Sequence, residues 1–251
     1  MLSAYWAVSN NFGDLIGPWM IEKMTGLYPL YAEPNAQYSY LCLGGSIINH
    51  VNSSAEVWGA GLGTITDGIN PDARIHAVRG PISRSRALSL GIKCPPIYGD
   101  PGLLLPIFHK PSLKRQPRVG VVPHYVDQYR AYDRYRSSAH VINVFKSIEC
   151  VVDEICSCSA IISSSLHGII VAHAYGIPAL WVKISDSLGG DGTKFRDYFQ
   201  SVGMDIPQAI DLREGGPLPE VPNFVPSIDT KAFFDACPIP KEKRVGFQYY
   251  V

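Results

Sequence analysis

The stretch AIISSSLHGIIVAHAYGIPALWV, residues 160–182, decides how this chain is read. Residues 160–163 are a short apolar run that ends in Ser163, Ser164 and Ser165. From His167 the apolar character continues for the length of a short helix, which Gly176 and Pro178 bring to a close. A second short apolar run occupies residues 179–182. Strand, helix and strand in so few residues form a βαβ unit, and its two strands are parallel because the helix carries the chain back to the end it left. The serine hydroxyls and the open amides of the helix start make an anion site, and His167 stands at its mouth.

Working outward, the same alternation recurs. After residue 117, strands are expected over 118–122 and 141–143 and helices over 148–156 and 195–201, with a helix near 230–236 in a proline-rich tail. Before residue 106, strands are expected over 3–8, 40–43, 57–59, 74–78 and 96–98, and helices over 14–25 and 82–90. Asp14 would cap the first of these helices and Gly91 would end the second. Between the halves lies PIFHKPSLKRQP, residues 106–117, with the proline and charge density of a linker. The expectation is an α/β protein of two Rossmann-like lobes facing a cleft: 1–105, then the linker 106–117, then 118–251 with its tail. Ligands of open parallel sheets bind beyond the carboxyl ends of the strands, so the chemistry belongs in the loops there.

Composition narrows the field. Of the 251 residues, 46% are hydrophobic and 18% charged, with mean hydropathy +0.04, which supports a buried core. Lys and Arg (22) balance Asp and Glu (22), so a general nucleic-acid binder is excluded, while a local cationic pocket is not. No apolar run reaches the roughly 18 residues of a membrane span. No basic segment opens a secretory signal, and a strand-like Tyr5-Trp6 so near residue 1 suggests a trimmed N-terminus. Cys42, Cys94, Cys150, Cys156, Cys158 and Cys237 form no CxxC pair and read as reduced, mostly core-filling thiols of a cytoplasmic protein, with no metal implied.

Candidate ligand-binding residues follow from position. Asn11 and Asp14 lie at the first strand-to-helix turn, Gly45 and Ser46 after a strand, Arg79 at a strand end with Arg84 on the helix beyond it. Asp100 lies in a turn, where it can orient a hydroxyl or an arginine, and His124 follows a strand. Ser164, Ser165 and His167 form the helix mouth, and Lys194 and Arg196 follow the glycine-rich loop at 189–192. His173, inside its helix, reads as structural. Trp58, Tyr125, Tyr129, Tyr132 and Trp181 are candidates for stacking on sugar rings, although most aromatics belong to cores. GxGxxG, the P-loop, HExxH and the GxSxG elbow are all missing. From the residues alone, the partner is a small anionic substrate.

The ordered blocks NNFGD (10–14), GGSIINH (44–50), VWGAGL (57–62), AVRGPISR (77–84), IYGDPGLLLP (97–106), VPHY (122–125), ISSSLHGIIVAHAYGIP (162–178) and KFRDYF (194–199) give the chain a specific resemblance. It resembles the polysaccharide pyruvyl transferase family, most of all its bacterial exopolysaccharide (xanthan-type) branch. The resemblance implies a GT-B-like fold and phosphoenolpyruvate as donor, with no metal or organic cofactor. It implies as acceptor a sugar diol of a glycan or lipid-linked oligosaccharide, a cyclic pyruvate ketal as product and release of phosphate. It also implies a cytoplasmic location, with peripheral association at the inner face of the membrane if the acceptor is lipid-linked. Arg79, His167 and Lys194 match the family's arginine, histidine and lysine, whereas Ser165 stands where many members carry arginine. The donor anions would then fall to Arg79, Lys194, Arg196 and His124. Two other readings fit the same residues: a GT-B glycosyltransferase with a nucleotide-sugar donor, and a non-catalytic sugar-binding subunit.

Overall fold

A computed structural model describes residues 1–112 and 114–245. Leu113 of the expected linker and residues 246–251 of the expected second lobe lie outside the described residues. In the first half, β1 (Ser3–Tyr5) leads to α1 (Phe12–Thr25), β2 (Leu30–Tyr31), β3 (Tyr40–Leu43), β4 (Ala55–Trp58), β5 (Arg74–Ala77) and α2 (Pro81–Ser89). A helical turn, α3 (Leu105–Phe108), precedes the second set. That set is β6 (Val119–Val122), α4 (Gln128–Tyr135), β7 (His140–Val141), α5 (Ile148–Cys156), β8 (Ala160–Ser163), α6 (Leu166–Ala174), β9 (Ala179–Lys183), α7 (Thr193–Ser201) and β10 (Ile210–Asp211), and α8 (Lys231–Asp235) follows.

The strands form two five-stranded sheets, ordered β2-β1-β3-β4-β5 and β10-β9-β8-β6-β7, and every pair of strands within them is parallel. This is the two-lobed α/β architecture that the alternation implies, and it fits the GT-B-like fold that the family resemblance implies. Among the described residues no helix is long and apolar enough to cross a membrane. All six cysteines are free, and all except Cys150 are buried.

The lobes pack closely rather than standing apart. α1 lies against α5, α2 against α7, and the turn at Pro101–Leu104 against α6. One apolar core runs through both, taking Phe12, Ile16 and Leu43 from the first sheet layer and Val122, Ile161 and Val171 from the second. Even the tail returns to the first lobe: Phe233 of α8 stacks on Trp58 with ring centroids 4.4 Å apart, and the Trp58 indole donates to the Phe233 carbonyl at 2.8 Å. A Cβ on Gly99 would lie 2.6 Å from the Phe233 ring, so only glycine admits it.

Several local expectations need correction. The strand expected over 3–8 ends at Tyr5, because the chain leaves the sheet to reach the other lobe, where the Phe12 amide donates to the Val144 carbonyl at 2.9 Å. α1 therefore starts two residues before Asp14, and Asn11 is its cap, accepting from the Gly13 and Asp14 amides at 3.0 and 3.3 Å. The strand expected over 96–98 is reduced to one parallel bridge, Val78 to Tyr98. The first residues of the expected linker form α3. Gly91, in contrast, takes the left-handed conformation (φ +77°) just past α2, as a helix end requires.

Candidate active site

β8 and β6 are neighbours, so the loops at their carboxyl ends open side by side. Each serine after β8 has its own task. Ser163 Oγ lies 2.7 Å from the carbonyls of both Val122 and Ser165 and accepts from the Ser165 amide at 3.0 Å, which locks the turn. Ser164 Oγ donates to the buried Asp127 carboxylate at 3.1 Å and accepts from the His124 amide at 2.9 Å, which fixes the loop carrying His124. Ser165 caps α6 by its backbone, while its side chain makes no capping bond, so the first-turn amides of the helix stay available to an anion. α6 sits close on the sheet because residue 168 is glycine: a Cβ there would stand 2.4 Å from Ser163 Oγ.

A cavity of about 200 Å³ opens at this helix mouth, lined by Asn11, Asp14 and Ser46 from the first lobe and by His124, Ser165, His167 and Lys194 from the second. Asp14 accepts from Ser9 Oγ and from Asn11 Nδ2 at 2.6 Å, which holds its carboxylate in place. His167 comes between the lobes and presses on α1, and a Cβ on Gly13 would lie 2.4 Å from its Nδ1. The glycine of NNFGD therefore makes room for the imidazole. Its other nitrogen, Nε2, faces the Asp100 Oδ2 atom at 3.7 Å. Asp100 is buried; its Oδ1 accepts from the Gly102 amide at 2.8 Å, while Oδ2 has no hydrogen-bond partner among the described residues. Burial pushes its carboxyl up, but the His167 imidazole, the Gly102 amide and the Arg79 charge outweigh it and hold the carboxyl below its usual range. The ionised carboxylate faces the ring across the lobe boundary.

The second imidazole is in the opposite situation. Burial, reinforced by the Lys194 and His167 charges, pushes His124 down to about 3, so its ring is neutral at physiological pH. Its buried Nδ1 has no hydrogen-bond partner among the described residues. Lys194 is lowered to about 8, chiefly by burial and then by the Arg79 charge, against an upward pull from Asp14. Its ammonium lies 5.5 Å from the Phe195 ring and makes no hydrogen bond or ion pair among the described residues.

The expected anion binders thus divide. Lys194 and His167 face the cavity. His124 faces it as a neutral ring rather than a cation. Arg79 has no exposed surface. Its guanidinium pairs with Asp197 at 3.2 Å, donates to Ser46 Oγ at 3.0 Å and to the Leu62 carbonyl at 2.5 Å, and reaches the cavity only through Ser46. Gly45 contributes a carbonyl, which accepts from the Gly61 amide at 2.9 Å. Ser164 and Arg196 line a neighbouring hollow instead, and Arg196 ties its own loop by donating to the Asp191 carbonyl at 2.9 Å. Arg84 donates to the Cys94 carbonyl at 3.1 Å and supports its own lobe. His173 is buried against the Tyr198 hydroxyl at 3.0 Å, a structural role.

Two residues that sequence reasoning passed over hold the site together. Gly13 admits His167. Asp197, also without exposed surface, accepts from the Ile82 and Ser83 amides at 2.9 and 3.0 Å and from Ser83 Oγ at 2.6 Å, besides pairing with Arg79. A second-lobe carboxylate therefore caps the first-lobe helix α2. The signal was a carboxylate one turn after Lys194 in a short helix rich in aromatic residues, Phe195, Tyr198 and Phe199.

Comparison with known proteins agrees with this architecture. Residues 58–186, just over half the chain, match the model of the family described as polysaccharide pyruvyl transferase. An uncharacterized protein of Acanthamoeba polyphaga mimivirus is 29% identical over 218 residues, covering 81% of this chain and 75% of that protein. The succinoglycan biosynthesis protein ExoV of Rhizobium meliloti is 25% identical over 213 residues, covering 80% of this chain and 64% of ExoV. The crystal structure of an uncharacterized Klebsiella pneumoniae protein shares the fold, with a TM-score of 0.50 at 13% identity over 84% of this chain and 92% of that one.

Proposed function

As the chain belongs to the polysaccharide pyruvyl transferase family, we propose that it transfers the pyruvyl group of phosphoenolpyruvate to two hydroxyls of a sugar. The product is a cyclic ketal, and inorganic phosphate leaves. The likeness to a succinoglycan biosynthesis protein supports an exopolysaccharide or its precursor as the acceptor.

One observation carries this reading: a single cavity gathers two imidazoles in unlike surroundings, His167 facing the buried Asp100 carboxylate and His124 desolvated and neutral, beside the Lys194 ammonium and an open helix start. An imidazole backed by a carboxylate and one without such a partner suit different proton transfers. His167, backed by Asp100, gives a proton to C3 of the enol, and C2 becomes electrophilic. Neutral His124 accepts the proton of the first sugar hydroxyl as its oxygen bonds to C2. The C–O bond to phosphate then breaks, with its electron pair leaving on the phosphate. The second hydroxyl closes the ring on C2 and its proton leaves with the phosphate; the proton taken by His124 passes to solvent, from which His167 regains the one it gave to C3, so the two hydroxyl protons balance those gained by C3 and phosphate. Lys194 and the α6 amides hold the donor's negative charge, which grows on the bridging oxygen as phosphate departs. Arg79 keeps Ser46 and Asp197 in position from behind. No residue in this scheme calls on a cofactor.

The test is phosphate release from phosphoenolpyruvate in the presence of glycan acceptors, with the ketal methyl signal followed by proton NMR. His167→Ala should slow release about 10²–10⁴-fold. Release at the wild-type rate from that variant rejects His167 as the acid, and absence of a ketal methyl with every diol acceptor rejects the reaction.

A further inference from the structure

A groove of about 790 Å³ adjoins the cavity, and Tyr125 lines both. It lies along the Tyr125–Asp127 turn and α4 on one side and β7 with the following loop on the other. Aromatic rings stand in it largely unburied: Tyr129 is 82% exposed, Tyr132 50%, Phe145 49% and Tyr125 40%. Apolar surface gathered in this way marks an interaction site. The contrast with the other aromatics singled out in the sequence is sharp, because Trp58 is consumed by its stack on Phe233 and Trp181 by its stack on Phe195 at 4.3 Å.

Hydrogen-bond donors without protein partners stand among the rings. The Arg136 guanidinium lies over the Tyr132 ring at 5.5 Å and bonds to no described residue. Asn143 spends its carbonyl oxygen on the Phe145 amide at 3.0 Å, while its amide nitrogen has no partner among the described residues. Flat faces beside open donors suit a sugar chain, whose C–H faces stack on rings and whose hydroxyls accept hydrogen bonds. The volume also falls in the roughly 300–1,000 Å³ range of ligand sites. Finally, the Tyr125 ring lies 4.5 Å from the His124 ring, so a sugar stacked at the near end of the groove presents its hydroxyls to that imidazole.

We propose that this groove seats the acceptor as an oligosaccharide, with its terminal sugar in the cavity and the preceding sugars on Tyr129 and Tyr132. The direction of the chain rests on the pyruvyl-transfer reading; the groove's affinity for glycan does not. The test is calorimetric titration with cellotetraose, laminaritetraose and mannotetraose, each against its monosaccharide, without phosphoenolpyruvate. At least one tetrasaccharide should bind about tenfold more tightly than its monosaccharide. Tyr129→Ala with Tyr132→Ala should remove that advantage, and the paired Phe substitutions, which keep the rings, should retain it. No tetrasaccharide preference, or one the Ala pair leaves intact, overturns the proposal and assigns the rings to another occupant. Titrating the wild-type protein with phosphoenolpyruvate alone tests the donor reading separately. Donor binding without groove-dependent glycan binding overturns only the groove, and the reverse result overturns only the donor assignment.

Discussion

Replacing Asp197 by Asn probes the contact on which the geometry of both lobes depends. Asn keeps the shape and the Oδ1 acceptor, and so preserves the bonds from the Ile82 and Ser83 amides. It removes the negative charge facing the Arg79 guanidinium at 3.2 Å, where neither side chain has any exposure to water. Removing one partner of a buried ion pair leaves an uncompensated charge and costs about 3–5 kcal/mol. In a chain of this size each kcal/mol moves Tm by about 2–4 °C, so the variant should melt roughly 6–20 °C lower. Urea unfolding gives the free energy and differential scanning fluorimetry the Tm. Arg79→Met should also destabilise on its own. Because it removes the orphaned charge, the double variant should be less destabilised than the sum of the two, with a coupling of about 0.5–3 kcal/mol. A loss under about 1 kcal/mol in Asp197→Asn, or strict additivity in the cycle, would mean that the pair does not hold the lobes and that Arg79 finds compensation elsewhere.

Further outcomes follow from the same geometry. Gly13→Ala puts a methyl where the His167 ring stands, 2.4 Å from Nδ1; a side chain can swing away, so the protein should fold and bind donor while turnover drops at least about tenfold, a split that kcat and KM measured together will detect. With Lys194 lowered to about 8, its ammonium is lost as pH rises through that value; the KM for phosphoenolpyruvate should therefore climb above about pH 8, and Lys194→Met should flatten the climb. His124 and His173 are held neutral by burial, at about 3 and about 4, below the ordinary 6.5. The unfolded chain then binds more protons between those values, so stability should fall as pH drops below about 6.5, and His173→Gln should reduce the slope of a denaturation series across that window.

Much of this architecture was legible because local chemistry dictates it. Residues 160–182 could form little other than strand, turn, helix and strand, and Gly91 could do little but end α2 in a left-handed turn. What escaped was short or polar: β2 and β10 are two-residue edge strands, and α4 is a run of tyrosines, charges, a glutamine and a single alanine, while the strand expected over 141–143 forms as the two-residue edge strand β7 (His140–Val141). The site divided along the same line. His167, Ser165 and Lys194 were visible because a loop after a strand points them to one place. Arg79, at a strand end, looks like a ligand-binding cation in the sequence, yet it is buried behind the cavity and paired with Asp197. Whether it is free depends on Asp197, far along the chain, and a single sequence does not reveal that pairing. Charge itself was deceptive at His124, since burial rather than residue type decides whether an imidazole is a cation.

The return of Phe233 onto Trp58 bears on how the molecule is made. The indole N–H that donates to the Phe233 carbonyl, and the bare glycines beside that ring, can be satisfied only after residue 233 has emerged from the ribosome. The amino-terminal half therefore waits, with the place of the Phe233 ring open beside Trp58, for α8 to arrive. Expressing that half alone should yield a sticky, chaperone-dependent fragment, and mixing in the remainder afterwards should rescue it.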